Sequence, residues 1–295
     1  MIRSTGLVIL MMVVLSSCEK VISFTPDSVE QTVVVEATIE DGQPPVVILS
    51  KSLDFFSEIT PELLANSFIR DAGIDVSNGT LTHRLKEYSF NAPGGYTLYY
   101  YSIDSANLAT AFVGQLAGAY SLRINTGGKE YTATTTIPAL TKTVDSLWWQ
   151  PSLNNPDTTQ VLLMGRVSDP PGFGNYIRYF TSTNDEPFYP GLNSVFDDQV
   201  VDGKTYSVQV ERGVNRNEEI DFDTYSYFNR GDSVTVKFTN IDKATFDFWR
   251  TMEYSYSSIG NPFSSPTKVI SNIKGGGLGY FGGYATQYIS FVIPE

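Results

Sequence analysis

Short runs of alternating apolar and polar residues, rich in β-branched and aromatic side chains, recur along almost the whole chain. The runs at 33–39 and 46–49 flank the turn pair Asp41-Gly42, and those at 118–124 and 131–137 flank Gly127-Gly128. Alternation of this kind is typical of half-buried strands, and a short glycine-containing turn between two of them is typical of a hairpin. The pattern therefore predicts an all-β protein.

The spacing of the runs predicts two β-domains. Residues 32–141 are expected to form an immunoglobulin- or transthyretin-like β-sandwich of about seven strands. Residues 142–295 are expected to form a larger antiparallel β-sandwich or barrel. A second domain is expected because the roughly 278 residues from Cys18 onward exceed the usual size of one domain. The strand candidates of this second part lie at 160–167, 176–181, 205–210, 233–239 and 287–293.

One stretch, 241–256, has helical rather than alternating periodicity. Asp242 is a plausible N-cap, and Phe246, Trp249 and Tyr256 recur at helical spacing. An aromatic stripe of this kind is more often core packing than a ligand site, and we interpret it as core.

The first residues have the pattern of an export signal. One positive charge at Arg3 is followed by an apolar run from Leu7 to Leu15, too short for the ~20 residues that cross a bilayer. Leu15-Ser16-Ser17-Cys18 fits the lipobox of bacterial lipoprotein precursors, which predicts a signal peptide at 1–17, a lipid on Cys18 and a tether at 18–31. The alternative is an ordinary cleaved signal with a stray cysteine.

Composition excludes several classes of partner and site. The chain has 32 Asp and Glu against 20 Lys and Arg, and removal of Arg3 makes the balance more negative, which argues against nucleic-acid binding and leaves the lipid as the membrane anchor. Cys18 is the only cysteine, so no disulfide within the chain, thiol nucleophile or cysteine-based metal site is expected. The sequence predicts no cofactor.

The only histidine, His83, would have to serve any Ser-His-Asp arrangement, and no Gly-x-Ser-x-Gly motif accompanies it. The alternation of this segment predicts that His83 lies on the polar face of a strand, and we expect no catalytic role. Two acid clusters, Asp221/Asp223 and Asp197-Asp198 with Asp202, could bind calcium, but solvated acidic turns explain them better. Paired carboxylates acting as a glycan hydrolase remain possible from residue supply alone.

The segment Gly277-Leu-Gly279-Tyr-Phe-Gly282 matches the letters of a dinucleotide fingerprint. That motif works only where a strand turns into a helix, whereas here the following residues alternate as a strand. A turn with positive φ, or the close approach of another backbone, accounts better for these glycines.

Several motifs together resemble the Bacteroidota lipoprotein family known as domain of unknown function 4249. They are Ser17-Cys18-Glu19, Val34-Val35-Glu36, 119–124 with 128–131, 175–179, 231–234, 246–248, Asn261-Pro262, 271–273 and 278–281. The resemblance implies a lipoprotein of the outer membrane encoded beside TonB-dependent receptors, with no established activity. Because only Glu19 adds an acid just after the cysteine, the membrane face stays open.

The resemblance also implies O-glycosylation of Asp-Ser or Asp-Thr triplets. The candidate acceptors are Ser28, Ser105, Ser146, Thr158 and Ser233, although Ser233 could simply begin a strand. The leading hypothesis is a non-enzymatic protein that captures ligand for, or docks on, a TonB-dependent receptor. The alternatives are a structural or adhesive envelope lipoprotein and, third, a carboxylate-based glycan hydrolase.

Overall fold

The computed structural model describes residues 31–53, 60–92, 96–153, 155–259 and 267–295. About half of these residues (49%) lie in strands, and the longer of the two α-helices among them is the predicted one, so the all-β class with a single substantial helix is confirmed. The strands are β1 Val33–Glu40, β2 Val46–Lys51, β3 Gly73–Ser77, β4 Thr82–Asn91, β5 Thr97–Ile103, β6 Ala119–Thr126, β7 Lys129–Thr136, β8 Thr143–Pro151, β9 Gln160–Ser168, β10 Tyr176–Thr183, β11 Tyr189–Phe196, β12 Thr205–Val210, β13 Phe228–Asn229, β14 Ser233–Ile241 and β15 Leu278–Val292.

Eleven strands form one sheet in the order β11-β10-β14-β15-β1-β2-β5-β4-β3-β6-β7. A second sheet is built on β9, which pairs with β8, β12 and β13. β1 and β15 pair in parallel, whereas the other pairs of described strands are antiparallel. The predicted boundary at 141–142 falls between β7 and β8, but the large sheet takes strands from both sides of it. The division into two domains stays a prediction.

β15 contributes to two apolar cores through one of its faces. Near its start, Phe281 and Ala285 pack with β1–β7 residues such as Val35 and Ile74. Near its end, Ile289 and Phe291 pack with residues of β9, β10 and β14 in the second core, where Ile293 follows just after the strand. Because successive side chains of a strand point to opposite faces, the same pattern leaves Tyr280, Tyr284 and Tyr288 on the other face.

The long helix, α2, covers part of that other face and spans Lys243–Ser258. Asp242 is its N-cap, as predicted: one carboxylate oxygen accepts a hydrogen bond from the Thr245 amide at 2.8 Å. The other oxygen accepts from the Thr135 hydroxyl at 2.8 Å and the Thr136 amide at 3.0 Å. One carboxylate thus starts the helix and fixes it to β7. The shorter helix, α1, spans Pro61–Ser67.

The glycines before and within β15 have the role expected of them, since they permit positive φ and close backbone approach. Gly279 has φ +97° and a Cβ there would lie 1.9 Å from the Val35 carbonyl oxygen of β1. A Cβ on Gly283 would lie 2.3 Å from the Thr136 carbonyl oxygen of β7. The run leads into a strand and not into a helix, so it cannot cradle a dinucleotide pyrophosphate as that fingerprint does.

We predict that Gly279→Ala lowers the free energy of unfolding by about 3 kcal/mol or more, because it combines a strained φ with a backbone clash. Gly276→Ala is the matched control, since Gly276 also has positive φ, at +84°, but nothing lies within 4 Å of its added Cβ. Strain alone should cost it about 1 kcal/mol. Urea unfolding followed by tyrosine and tryptophan fluorescence measures both, and equal losses would contradict the close-approach argument.

Candidate functional site

A cleft of about 420 Å³ opens on the sheet face that α2 only partly covers. Its floor is made by β1, β15, β14 and β10, and α2 forms one wall. Three acidic and three basic side chains line it together with five aromatic rings. The lining residues are Glu36, Thr38, Glu40, Arg178, Phe180, Pro190, Arg216, Lys237, Trp249, Glu253, Tyr256, Tyr280 and Tyr284. This volume falls in the range of small-molecule sites, about 300–1,000 Å³.

Strand register explains why these side chains meet. Glu36 lies opposite Tyr280, and Glu40 lies opposite Tyr284, across the parallel β1–β15 pair. Lys237 of β14 lies opposite Phe180 of β10 in the next pairing along the sheet. Between the two tyrosines, Gly282 leaves room for the helix, since a Cβ there would lie 3.1 Å from Thr245 of α2.

Arg178 is the most buried charge of the cleft, with 5% of its surface exposed. Its guanidinium carbon lies 3.4 Å from the centre of a Trp249 ring and 4.6 Å from that of Phe180. Its Nε donates to the Ser194 hydroxyl at 3.1 Å. Neither terminal nitrogen donates to any residue in the described part of the chain. The rings of Trp249 and Phe180 and the hydrogen bond from Nε therefore fix the arginine in place, while its two terminal nitrogens stay free to bind another group.

Glu253 of α2 is held by the same serine. Ser194 donates to its carboxylate through the hydroxyl and, at 3.1 and 3.2 Å, through the backbone amide. Burial raises the pKa of Glu253, and the Ser194 hydrogen bonds oppose that rise without cancelling it. Ser194 thus joins α2, β11 and the arginine into one polar network.

Glu40 and Lys237 form an ion pair across the cleft floor, and the Tyr288 hydroxyl donates to Glu40 at 3.0 Å. Burial is the main reason that the pKa of Tyr288 lies above its ordinary value, and the neighbouring Glu40 adds to it. Arg216 donates to the Leu192 carbonyl at 2.8 Å and lies 5.1 Å from the Tyr256 ring centre. Glu40, Lys237 and Arg216 thus have partners within the protein.

Glu36 differs from the other acids because its carboxylate accepts no hydrogen bond and forms no ion pair with any described residue. Its side chain is open to the water in the cleft, yet protein surrounds it on most sides. This desolvation raises its pKa, and the positive charge of Arg178 only partly offsets the effect. The cleft therefore holds one uncommitted carboxylate near one uncommitted guanidinium.

The residues predicted from sequence lie elsewhere. Cys18 and Ser28 fall outside the described residues. The other candidate glycan acceptors, Ser105, Ser146, Thr158 and Ser233, are all exposed, and none lines the cleft. Ser233 is also the first residue of β14, so both interpretations of that triplet stay open.

The placement of His83 on a polar strand face was wrong. The residue is 1% exposed and lies on the same face of β4 as the buried Leu85. Its Nε2 accepts the Asp104 amide at 3.0 Å, and its Nδ1 lies 2.9 Å from the Thr110 hydroxyl. Both ring nitrogens thus have hydrogen-bond partners within the protein, as a buried polar ring requires, and the histidine has a structural role.

The Asp198/Asp202 cluster is also not a simple solvated turn, because Asp198 is buried and Asp169 joins it, with one oxygen of each residue within 4.8 Å of the others. All three carboxylates have partners: Asp198 accepts from Gly174 and Asn175, Asp202 from Gly172 and Asp169 from Gly203. Asp169 also forms an ion pair with Lys142. Burial would raise the pKa of Asp198, but the amide hydrogen bonds hold it below its ordinary value. The three carboxylates therefore hold the neighbouring loops together through backbone amides.

Sequence reasoning missed the cleft because its parts were assigned other roles. The aromatic stripe of α2 was interpreted as core, which holds for the buried Phe246, whereas Trp249 and Tyr256 line the cleft. Arg178 and Glu36 were noted only as members of family motifs. A usable signal was present: Arg178 is a charged residue within a strand of otherwise apolar, aromatic and hydroxyl side chains.

The fold and the cleft define an all-β protein with a polar and aromatic site of ligand size. The chain belongs to the family described as Domain of unknown function (DUF4249), whose profile matches residues 19–289. Comparison with curated proteins gives no match. Among the described residues, we find no helix with the length and apolar character needed to span a bilayer.

We predict that Glu36 makes stability depend on pH. Because its folded pKa is raised, its contribution is most favourable below the ordinary value of 4.5 and is lost as pH rises through the folded pKa. Between pH 4 and pH 8 the wild type should therefore lose more unfolding free energy than Glu36→Gln. The difference should stay below about 1 kcal/mol, since water in the cleft screens the charge.

Urea unfolding at several pH values measures this difference. Glu130→Gln is the control, because Glu130 is an exposed residue of β7 far from the cleft lining. A Glu36→Gln variant that follows the wild-type curve over the whole range would contradict the assignment.

Proposed function

We propose that this protein is a non-enzymatic ligand-capturing lipoprotein. A lipid on Cys18 holds it at the outer membrane, and the cleft beneath α2 binds a small ligand that is passed to a TonB-dependent receptor. The observation that carries the binding role is the pair of uncommitted charges, Arg178 and Glu36, among the aromatic rings of the cleft. The receptor partner and the membrane rest on the family resemblance and the lipobox.

The side chains of the cleft favour a role in ligand binding over a purely structural role. Arg178 is mostly buried, yet its terminal nitrogens make no hydrogen bond within the described part of the chain and line the cleft, where a ligand can reach them. Aromatic faces with a few fixed polar groups are the usual lining of ligand sites.

A carboxylate-based hydrolase is the second candidate, because two acids with raised pKa, Glu36 and Glu253, line the same cleft. Glu253 argues against it: three hydrogen bonds from Ser194 fix its carboxylate and occupy both oxygens. Glu36 alone lacks the second carboxylate that glycoside hydrolysis requires. Release of nitrophenol from chromogenic glycosides by the purified protein, lost in Glu36→Gln, would favour the hydrolase instead.

The binding role predicts that filling the cleft separates ligand from receptor. Thr38→Trp places a large ring between Glu36 and Glu40 on the cleft floor, at a strand position that tolerates aromatic residues. The full-length protein, tagged after Glu295 and purified from its host in detergent, should carry a small molecule detectable by native mass spectrometry together with a TonB-dependent receptor. Thr38→Trp should keep the receptor and lose the small molecule.

Thr134→Trp is the matched control, because it makes the same change at an exposed position of β7 outside the cleft, and it should keep both. Repeated recovery without any TonB-dependent receptor would contradict the partner. A small molecule retained by Thr38→Trp would contradict the cleft as its site.

The anchor predicts that Cys18→Ala abolishes lipid labelling, because the sulfur that accepts the diacylglyceryl group is gone. In the wild type that group contributes ~0.8 kcal/mol for each methylene buried in the bilayer. Metabolic labelling with radioactive palmitate measures the modification. Ser23→Ala, in the tether, should be labelled like the wild type, and labelling that survives in Cys18→Ala would refute the anchor.

A further inference from the structure

The charged groups of the cleft divide into those whose terminal atoms already bind another group of the protein and those whose terminal atoms do not. Glu40 is paired with Lys237, Glu253 is bound by Ser194, and Arg216 is bound to a backbone carbonyl. Arg178 and Glu36 remain, and they are close enough to influence each other electrostatically but do not form an ion pair. A gap lined by opposite charges is thus left open between them.

Arg178 sets the chemistry at one side of this gap. A guanidinium whose terminal nitrogens are free binds a carboxylate or a phosphate through two parallel hydrogen bonds. Glu36, the one acid of the cleft that no described residue compensates by a contact, would repel a doubly charged phosphate more than a singly charged carboxylate. A carboxylate is therefore the better match.

Glu36 sets the chemistry at the other side. An uncommitted carboxylate in a partly desolvated cleft favours a cationic donor, and an ammonium group supplies three hydrogen-bond donors and the compensating charge. The lining near this pair is aromatic: Tyr280 lies opposite Glu36 across the β1–β15 pair, and its ring centre lies 5.1 Å from that of Trp249. An apolar side chain on the ligand would pack there.

On the basis of the binding role proposed above, we infer that the cleft takes a zwitterionic α-amino acid with an apolar or aromatic side chain. Its carboxylate binds the terminal nitrogens of Arg178, its ammonium group binds Glu36, and its side chain lies against the partly exposed ring of Trp249. Such a ligand carries one charge of each sign, so that Arg178 and Glu36 would each receive an opposite charge.

Isothermal titration of the full-length protein in detergent tests this inference with L-phenylalanine, its amide and its N-acetyl derivative as probes. The free amino acid should bind at least 10-fold more tightly than either derivative, because each derivative lacks one of the two charged groups that Arg178 and Glu36 would bind. Glu36→Gln should weaken phenylalanine at least 10-fold and no longer discriminate against the N-acetyl compound. Glu130→Gln should match the wild type. Arg178→Lys should reduce discrimination against the amide, and Glu36→Gln carries the test if that buried site fails to fold.

Equal affinity for the three probes, or no binding of any of them, would overturn the amino-acid inference. If a neutral sugar binds and Thr38→Trp abolishes that binding, the proposed ligand capture survives and only the ligand class is wrong. If native purification also yields no small molecule in the wild type, ligand capture itself fails.

Discussion

The fold depends on the side-chain alternation of β15. Its odd-numbered residues enter two cores in succession, Phe281 and Ala285 in the first, and Ile289 and Phe291 in the second. Each large apolar side chain that is fully buried contributes about 1.5–3 kcal/mol, so this strand stabilises both halves of the chain. Its parallel pairing with β1 requires a close backbone contact that only Gly279 permits. One strand therefore links the packing of the two halves.

The even-numbered residues of the same strand create the cleft. Tyr280 stacks on Phe248 with ring centres 4.5 Å apart, and the Tyr284 hydroxyl accepts the Trp249 ring N–H at 3.2 Å. These contacts fix α2 over the sheet, while Asp242 fixes the start of the helix to β7. The helix is thus attached at several points and leaves the floor from Glu36 to Lys237 uncovered. A rigid wall and floor suit binding, because little ordering is required when the ligand enters.

Local sequence patterns predicted the elements better than their assembly. Alternation identified β1, β2, β6, β7, β9, β10, β12 and β14, and Asp242 with the helical period identified α2. The pairing of β1 with β15 joins residues more than 240 positions apart, and no local signal encodes that register. The predicted face of His83 is wrong because the ring is buried on the same face as Leu85, where Asp104 and Thr110, more than 20 residues further along the chain, satisfy both nitrogens.

The cleft was hidden for the same reason, since it draws on β1, β10, β14, β15 and α2. Glu36 and Glu40 could be placed on one face of β1 by alternation, but nothing local showed that Arg178 would face them. Acidic clusters were visible in the sequence, yet their carboxylates are satisfied within the structure. The charged groups that stay free to bind a ligand are Arg178 and Glu36, which are far apart in the sequence and meet only in the folded protein.

The protein contains its own example of how a buried charge is used for structure alone. Lys142 and Asp169 are both fully buried at the side chain and lie 3.0 Å apart, and Asn240 binds the backbone of Lys142 through both amide atoms. A pair of this kind satisfies its own charge and needs no ligand. Arg178 is almost as buried, but its nearest acids stay beyond ion-pair distance and its terminal nitrogens are free. Stacking on Trp249 and Phe180, the hydrogen bond to Ser194 and the nearby carboxylates of Glu36 and Glu253 offset part of the cost of burying Arg178. A ligand carboxylate on its free terminal nitrogens would offset more, and this is the physical reason for proposing a charged ligand.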